Sequence, residues 1–461
     1  MKEKTLQKKK ITALLLVLLL LFQLTLTVAF AAEEPTMPYY VAIGDSIAGG
    51  YGLRGNSIEQ LSADTKFLTN VVRNSAESCY PRLVANAIAK ATTGKCKASD
   101  EEFANLGALG FAVTDFYYAF SETDETKLKN YVSPFWEKVV PLLSAVLSPG
   151  QEVDWDSYRW EETVVSETKK ADLITFNVGA NDVMQPLWET MTSHENPLIK
   201  VMGILLKMAT LEVDLTKLDL REAISNLSAA DTGGIDLSGM LSGINADTIR
   251  ECITFFDTRN LAAIMCDSVE AIRDIYGETL DRLREINPEA KIVLVGTHNP
   301  YGNSNLYHGT YYTPEKIFRQ LHKELAAGKP MISPKLVEGI QYTLLHYLLG
   351  KTAQPALNRL NEIIKDAAAE RDIPFVYTMD KVKNEARIAV HPTKEQHQQI
   401  ANAITDVLLP LICQDSSTEK EQPSVCDSLC RATCARWKWV EKASRAYWKY
   451  LGNAWNMPHR R

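Results

Sequence analysis

YYVAIGDSIAGGYG, residues 39–52, joins two signals in one stretch. Tyr39 to Ile43 is an uncharged run rich in aromatic and β-branched residues, the pattern of a buried strand. It stops at Gly44 and passes through Asp45 and Ser46 into Gly49, Gly50 and Gly52, a turn that leaves a serine at a strand end. Four further runs read as strands: EEFANLGA from Glu101, ADLITFNVG from Ala171, KIVLVGTHN from Lys291 and IPFVYTMD from Ile373. Helical patterns lie between most of them: PRLVANAIAKA from Pro81, DSVEAIRDIYGETLDRLREI from Asp267, ALNRLNEIIKDAAAERD from Ala356 and KEQHQQIANAITDVLLPLI from Lys394. This alternation predicts an α/β fold, a central parallel sheet with helices on both faces and any site beyond the carboxyl ends of the strands.

Three insertions, at about 116–168, 186–262 and 303–354, are too long for simple connections. They carry apolar helical stretches, among them Phe135 with Trp136, Ile204 with Leu205 and Met208, and Leu344 with Leu345. Such stretches either pack as a second layer of the same domain or form a cap over an acyl-binding cleft.

The chain of 461 residues, 46% hydrophobic and 23% charged, is ample for a sizeable core. Its basic start, MKEKTLQKKK, leads into ITALLLVLLLLFQLTLTVAF and the small residues Ala29, Ala31 and Ala32. Residues 1–31 therefore read as a signal peptide, with an uncleaved membrane anchor as the alternative because the apolar run approaches spanning length. Export would put the eight cysteines in a disulfide-permissive compartment, where Cys79–Cys96 and Cys252–Cys266 are the local pairs and free buried thiols the alternative. No cysteine spacing resembles a zinc site, and neither a metal nor another cofactor is expected.

The formal charge of −7 is uneven: residues 1–31 carry +4, residues 431–461 carry +7, and the body between them is −18. An acidic body argues against nucleic acid as a partner. The main domain is read over 37–413, followed by a polar linker, QDSSTEKEQPS, and a basic Trp-rich tail within 414–461. In the 431–461 tail Trp437, Val440, Trp448, Leu451 and Trp455 recur at helical spacing. Such a helix associates with a membrane surface or an anionic cell wall, or docks on the acidic body.

Gly-rich turns after strands often only turn. Here the loop lacks the Lys-Ser/Thr ending of a phosphate loop and the GxSxG elbow of common α/β hydrolases. Three other segments lie at the ends of strand-like runs. NLGALG offers Gly110, whose N–H can approach a substrate oxygen unobstructed. ITFNVGANDV offers Gly179, Asn181 and Asp182, and AVHPTKEQHQQIANAI offers His391 just before a helix. A serine attacking an ester needs a base for its proton and N–H donors for the developing oxyanion, and these segments supply both.

With GDS, the glycine segment, GxND and HP in this order, the chain resembles the SGNH hydrolases, also called the GDSL lipase and esterase family, over about residues 39–410. The resemblance implies a flavodoxin-like three-layer α/β/α sandwich. It makes Ser46 the nucleophile, His391 the general base, and Ser46 N–H, Gly110 N–H and the Asn181 amide the oxyanion hole. Gly44, Asp45, Gly179 and Asp182 then support the motifs, the two acids by bonding nearby backbone N–H groups.

Ile47 replaces the leucine of GDSL, and Ile388 stands three residues before the histidine, where many members carry an aspartate. Any acceptor on Nδ1 can orient an imidazole base. The candidates are the backbone carbonyl of Ile388, as in family members that work as a Ser-His dyad, and the side chains of Glu385 and Asp380. His298, at the end of the fourth strand, is close enough to the cleft to touch substrate.

The function expected is a secreted serine carboxylic ester hydrolase acting on lipid or acyl-ester substrates through an acyl-enzyme. A carbohydrate O-acetyl esterase is the alternative within this chemistry, and a non-catalytic cell-surface binding protein the alternative outside it.

Overall fold

A computed structural model describes residues 36–53, 77–138, 141, 163–210, 245–299, 316–317, 319–320, 323–324, 327, 333–342, 350–382 and 391–415. Five strands form the sheet: β1 (Tyr40–Gly44), β2 (Phe103–Gly107), β3 (Leu173–Asn177), β4 (Lys291–Val295) and β5 (Phe375–Val376). They pair in the order β2-β1-β3-β4-β5, and every pairing is parallel. This is the flavodoxin-like order, with its switch point beside β1. All five sequence-predicted strands are present.

The helices are α1 (Ser46–Gly49), α2 (Tyr80–Thr92), α3 (Val113–Ser121), α4 (Glu125–Asn130), α5 (Thr163–Lys170), α6 (Ala180–Ser193) and α7 (Pro197–Thr210). They continue with α8 (Ala246–Phe255), α9 (Thr258–Ala271), α10 (Arg273–Ile286), α11 (Pro334–Tyr342), α12 (Gly350–Glu370) and α13 (Lys394–Asp415).

Alternate strand residues feed two cores, which is why the strands read as continuous apolar runs. Tyr40, Ala42, Val293 and Val295 face α2 and α13, packing with Val84, Ile88, Ile400 and Ile404. Val41, Ile43, Ile174, Phe176, Ile292 and Leu294 face the other side, where α3, α6, α10 and α12 supply Phe116, Val183, Tyr276 and Leu360. From the insertions, Phe135, Trp136, Ile204, Leu205 and Met208 join this second core. Leu344 and Leu345 lie outside the described residues.

Three expectations are corrected. The single helix read from Asp267 is two, because the chain breaks at Ile272, whose φ of −94° and ψ of 0° end α9 and open α10. α12 begins at Gly350 rather than at Ala356 and runs through Pro355. The pairs Cys79–Cys96 and Cys252–Cys266 are not formed. Cys79 caps the start of α2, and Cys96 lies beyond its C-cap, Thr93. The intervening 13-residue helix separates its ends by ~20 Å, whereas a disulfide needs Cα atoms within ~7 Å. Cys252 is buried and its thiol donates to Asn196 Oδ1 at 3.4 Å, while Cys266 sits on the next helix.

No described helix is long and apolar enough to cross a membrane. Residues 1–31, Cys426, Cys430 and Cys434, and the 431–461 tail lie outside the described residues.

Candidate active site

Ser46 opens α1 directly after β1, with Asp45 as N-cap accepting from Ile47 N–H at 2.9 Å. This turn needs close backbone approach on two sides. A Cβ on Gly44 would meet Ala48 Cβ at 2.5 Å, and one on Gly107, at the end of β2, would meet Gly49 N at 2.2 Å. Asn105 fixes the same junction, donating to the Ala48 carbonyl at 2.8 Å while accepting from Gly107 N–H at 2.9 Å. The serine is thus held by the two neighbouring strands as well as by its own turn.

His391 arrives from the other end of the chain. Two residues on, Thr393 and Gln396 form a reciprocal cap at the start of α13: Thr393 N–H donates to Gln396 Oε1 at 2.8 Å, and Gln396 N–H to Thr393 Oγ1 at 3.2 Å. The imidazole packs edge-on against Tyr51, centroids 4.7 Å apart, and its Nε2 lies 3.0 Å from Ser46 Oγ. Both Ser46 and His391 are buried.

Gly110 follows β2 at φ +78°, and a Cβ there would fall 2.3 Å from the Phe135 ring. Only glycine fits both the backbone and the space. Its carbonyl accepts from Gln185 Nε2 at 2.6 Å. Gly179 is the N-cap of α6, and Asn181, in the first turn, donates one Nδ2 hydrogen to the Phe111 carbonyl at 2.8 Å. An amide nitrogen carries two hydrogens, so this bond uses one of them, and Asn181 is among the residues lining the cleft. Asp182, next on α6, accepts from Val113 N–H at 3.0 Å and so ties α6 to the start of α3.

Burial pushes the Asp182 carboxyl up to about 8, with the charges of Asp115 and Asp45 adding to the effect. Asp45 is raised to about 6 and Asp115 is raised as well, both chiefly by burial. Burial lowers His298 to about 4, with the neighbouring His391 contributing. His298 is therefore a neutral imidazole near pH 7, and its buried Nε2 has no hydrogen-bond partner among the described residues.

Ser46, Gly110, Asn181, His298 and His391 line one cleft at the carboxyl ends of β1 to β4. Leu109, Phe135, Met184, Ala353 and Leu357 supply its apolar wall, and the described part encloses about 80 Å³. Asp380 is exposed, and among the described residues no hydrogen bond joins it to His391. Ile388 and Glu385 lie outside the described residues. His397, on α13, accepts from Tyr80 N–H at 3.1 Å and so holds α13 to α2. The residue that sequence reading missed is Lys207, on the cleft wall. Its neighbours on α7 were read only as an apolar stripe.

A serine hydroxyl within hydrogen-bond reach of a histidine, in a cleft at the switch point of a parallel sheet, is an arrangement suited to an α/β ester hydrolase. Within that class the chain matches the GDSL-like Lipase/Acylhydrolase family over residues 40–404. It belongs to that family, and it is an ester-bond hydrolase with small-molecule ester substrates. No curated protein matches it. It is similar to the solved phospholipase A1 of Streptomyces albidoflavus NA297, at 13% identity and a TM-score of 0.34 over 80% of this chain and 99% of that one. It is also similar to an extracellular lipase of Streptomyces rimosus, at 12% identity and a TM-score of 0.30 over 80% and 99%. Likenesses of that size carry no substrate across.

Proposed function

We propose that the chain is a secreted carboxylic ester hydrolase working through a Ser46 acyl-enzyme. The observation that carries this reading is the 3.0 Å approach of Ser46 Oγ to His391 Nε2 in the cleft that Gly110 and Asn181 also line. His391 takes the serine proton as Oγ adds to the ester carbonyl. The tetrahedral oxyanion accepts from Ser46 N–H, Gly110 N–H and Asn181 Nδ2–H. His391 then protonates the leaving alcohol, and a water it activates releases the acid. Preorganised donors of this kind are each worth ~3 kcal/mol in the transition state. With an isoleucine at position 388, we assign the acceptor for His391 Nδ1–H to the main-chain carbonyl of Ile388.

Apolar side chains around Ser46 support a lipid or acyl-ester substrate. A described volume of about 80 Å³, below the ~300 Å³ lower end of drug-sized pockets, supports the second reading, removal of short acyl groups such as acetyl from carbohydrate. Turnover of p-nitrophenyl esters from acetate to octanoate separates the two. A maximum at butyrate or longer supports the lipid reading, and a maximum at acetate supports deacetylation. Export rests on the charged and apolar segments of residues 1–31, and surface attachment on the basic Trp-rich tail.

A further inference from the structure

The one cation among the described residues lining the Ser46 cleft is Lys207. It stands near the end of α7 among Ile204, Leu205, Leu206 and Met208, all buried, and is itself only 9% exposed. Its Nζ lies 3.8 Å from the centroid of the Phe135 ring and 5.1 Å from that of Trp188. No hydrogen bond or ion pair to the ammonium is formed among the described residues. The acid acting on it most, Glu189, is engaged by Lys138 at the surface.

Such a placement costs free energy that a methionine or leucine at the same position would not cost. Faces of aromatic rings offset part of the desolvation of an ammonium but do not accept its three N–H bonds. A helix end favours a cation without burying it, so the position on α7 does not account for the aim of the side chain. Burial lowers the ammonium to about 7, so close to neutrality an arriving anion would hold the charged form. Phe135 meanwhile abuts Gly110, so one aromatic ring separates Lys207 from the glycine at the reacting end of the cleft.

We propose that Lys207 is a specificity residue that binds an anionic group, carboxylate or phosphate, carried by the ester substrate. This deepens the serine-hydrolase reading and rests on it. The uncharged wall positions the apolar part of the substrate, and the ammonium selects molecules with an acidic group one ring away from the ester.

The test compares kcat/KM for matched pairs: p-nitrophenyl hydrogen glutarate against p-nitrophenyl pentanoate, and dihexanoyl phosphatidate against dihexanoylglycerol. The first pair places the charge on the acyl side and the second on the alcohol side. The ratio within each protein cancels any general loss of activity. Wild type should favour the anionic member of at least one pair by about tenfold, the worth of one charge-assisted hydrogen bond. Lys207→Met and Lys207→Gln should bring that ratio close to one, mostly through KM. A ratio near one in wild type, or one unchanged by both variants, overturns the proposal. If wild type hydrolyses none of the four esters, or Ser46→Ala hydrolyses them equally well, the hydrolase reading itself has failed.

Binding of hexyl phosphate and of hexanol to Ser46→Ala protein by calorimetry then tests Lys207 without turnover. Loss of the phosphate preference on adding Lys207→Met supports the subsite, and equal affinities overturn it.

Discussion

At the scale of single residues, two side chains separate the oxyanion hole from the base. Asn181→Ala removes one donor and should lower kcat by about 10²–10³ with little change in KM. Because Asn181 also donates to the Phe111 carbonyl, thermal melting must show that the variant is folded. A loss below tenfold in folded protein would remove Asn181 from the hole. Asp380→Asn should leave kcat/KM within about twofold, since loss of a true triad aspartate costs about 10⁴. A loss approaching that size would restore Asp380 as the group that orients His391. Ser46, Gly110 and Asn181 stand out in the sequence because strand ends followed by small or amide residues are recognisable locally, whereas His391, well beyond β5, stands out only by the HP that precedes a helix. Lys207 does not stand out. Its meaning depends on Phe135, which an unrelated insertion brings to within 3.8 Å, and no spacing along the chain encodes that meeting.

At the scale of elements, caps and buried carboxylates hold the site-bearing helices in place. Thr393→Ala opens the reciprocal cap of α13 and should cost about 1 kcal/mol in stability. Because His391 lies two residues before that cap, kcat should fall as well; denaturant unfolding beside turnover measures both, and unchanged values would detach the cap from the site. Asp182 sets a pH dependence. Its carboxyl is near 8 in the fold and ~3.9 in the unfolded chain, so the folded state holds a proton that the unfolded chain releases between those values. That contribution is full below about pH 4 and is lost as pH rises through about 8. The melting temperature of wild type should therefore fall more steeply from pH 5 to pH 9 than that of Asp182→Asn, whose amide oxygen still accepts from Val113 N–H. Parallel curves would contradict a buried, protonated Asp182. Strands were more legible than helix limits for a physical reason. Burial on both faces writes β1, β3 and β4 as continuous apolar runs, whereas the break at Ile272 involves neither Gly nor Pro. The start of α12 was misplaced because Pro355 lacks the N–H that continues a helix, although α12 tolerates that gap.

At the scale of the whole molecule, an acidic body carries a family domain over residues 40–404 and a basic tail beyond it. If the tail attaches the enzyme to an anionic surface, the full chain should sediment with phosphatidylglycerol vesicles at low salt. A chain ending at Asp415 should not, while its turnover of a soluble ester stays within about twofold of the full chain's; equal sedimentation of both would assign the tail another role. The fold class was legible because each of its five strands announces itself separately. The cysteine pairs were misread because proximity in sequence was taken for proximity in space, and a helix stands between Cys79 and Cys96.

The central claim is that Ser46 becomes covalently acylated with His391 as its base. Its most direct measurement is labelling with a fluorophosphonate, followed by mass analysis of the peptide that contains Ser46. One adduct per chain on Ser46 in wild type is predicted, with none in Ser46→Ala and far slower labelling in His391→Ala. An adduct on another residue, or ester turnover by wild type with Ser46 unlabelled, would contradict it.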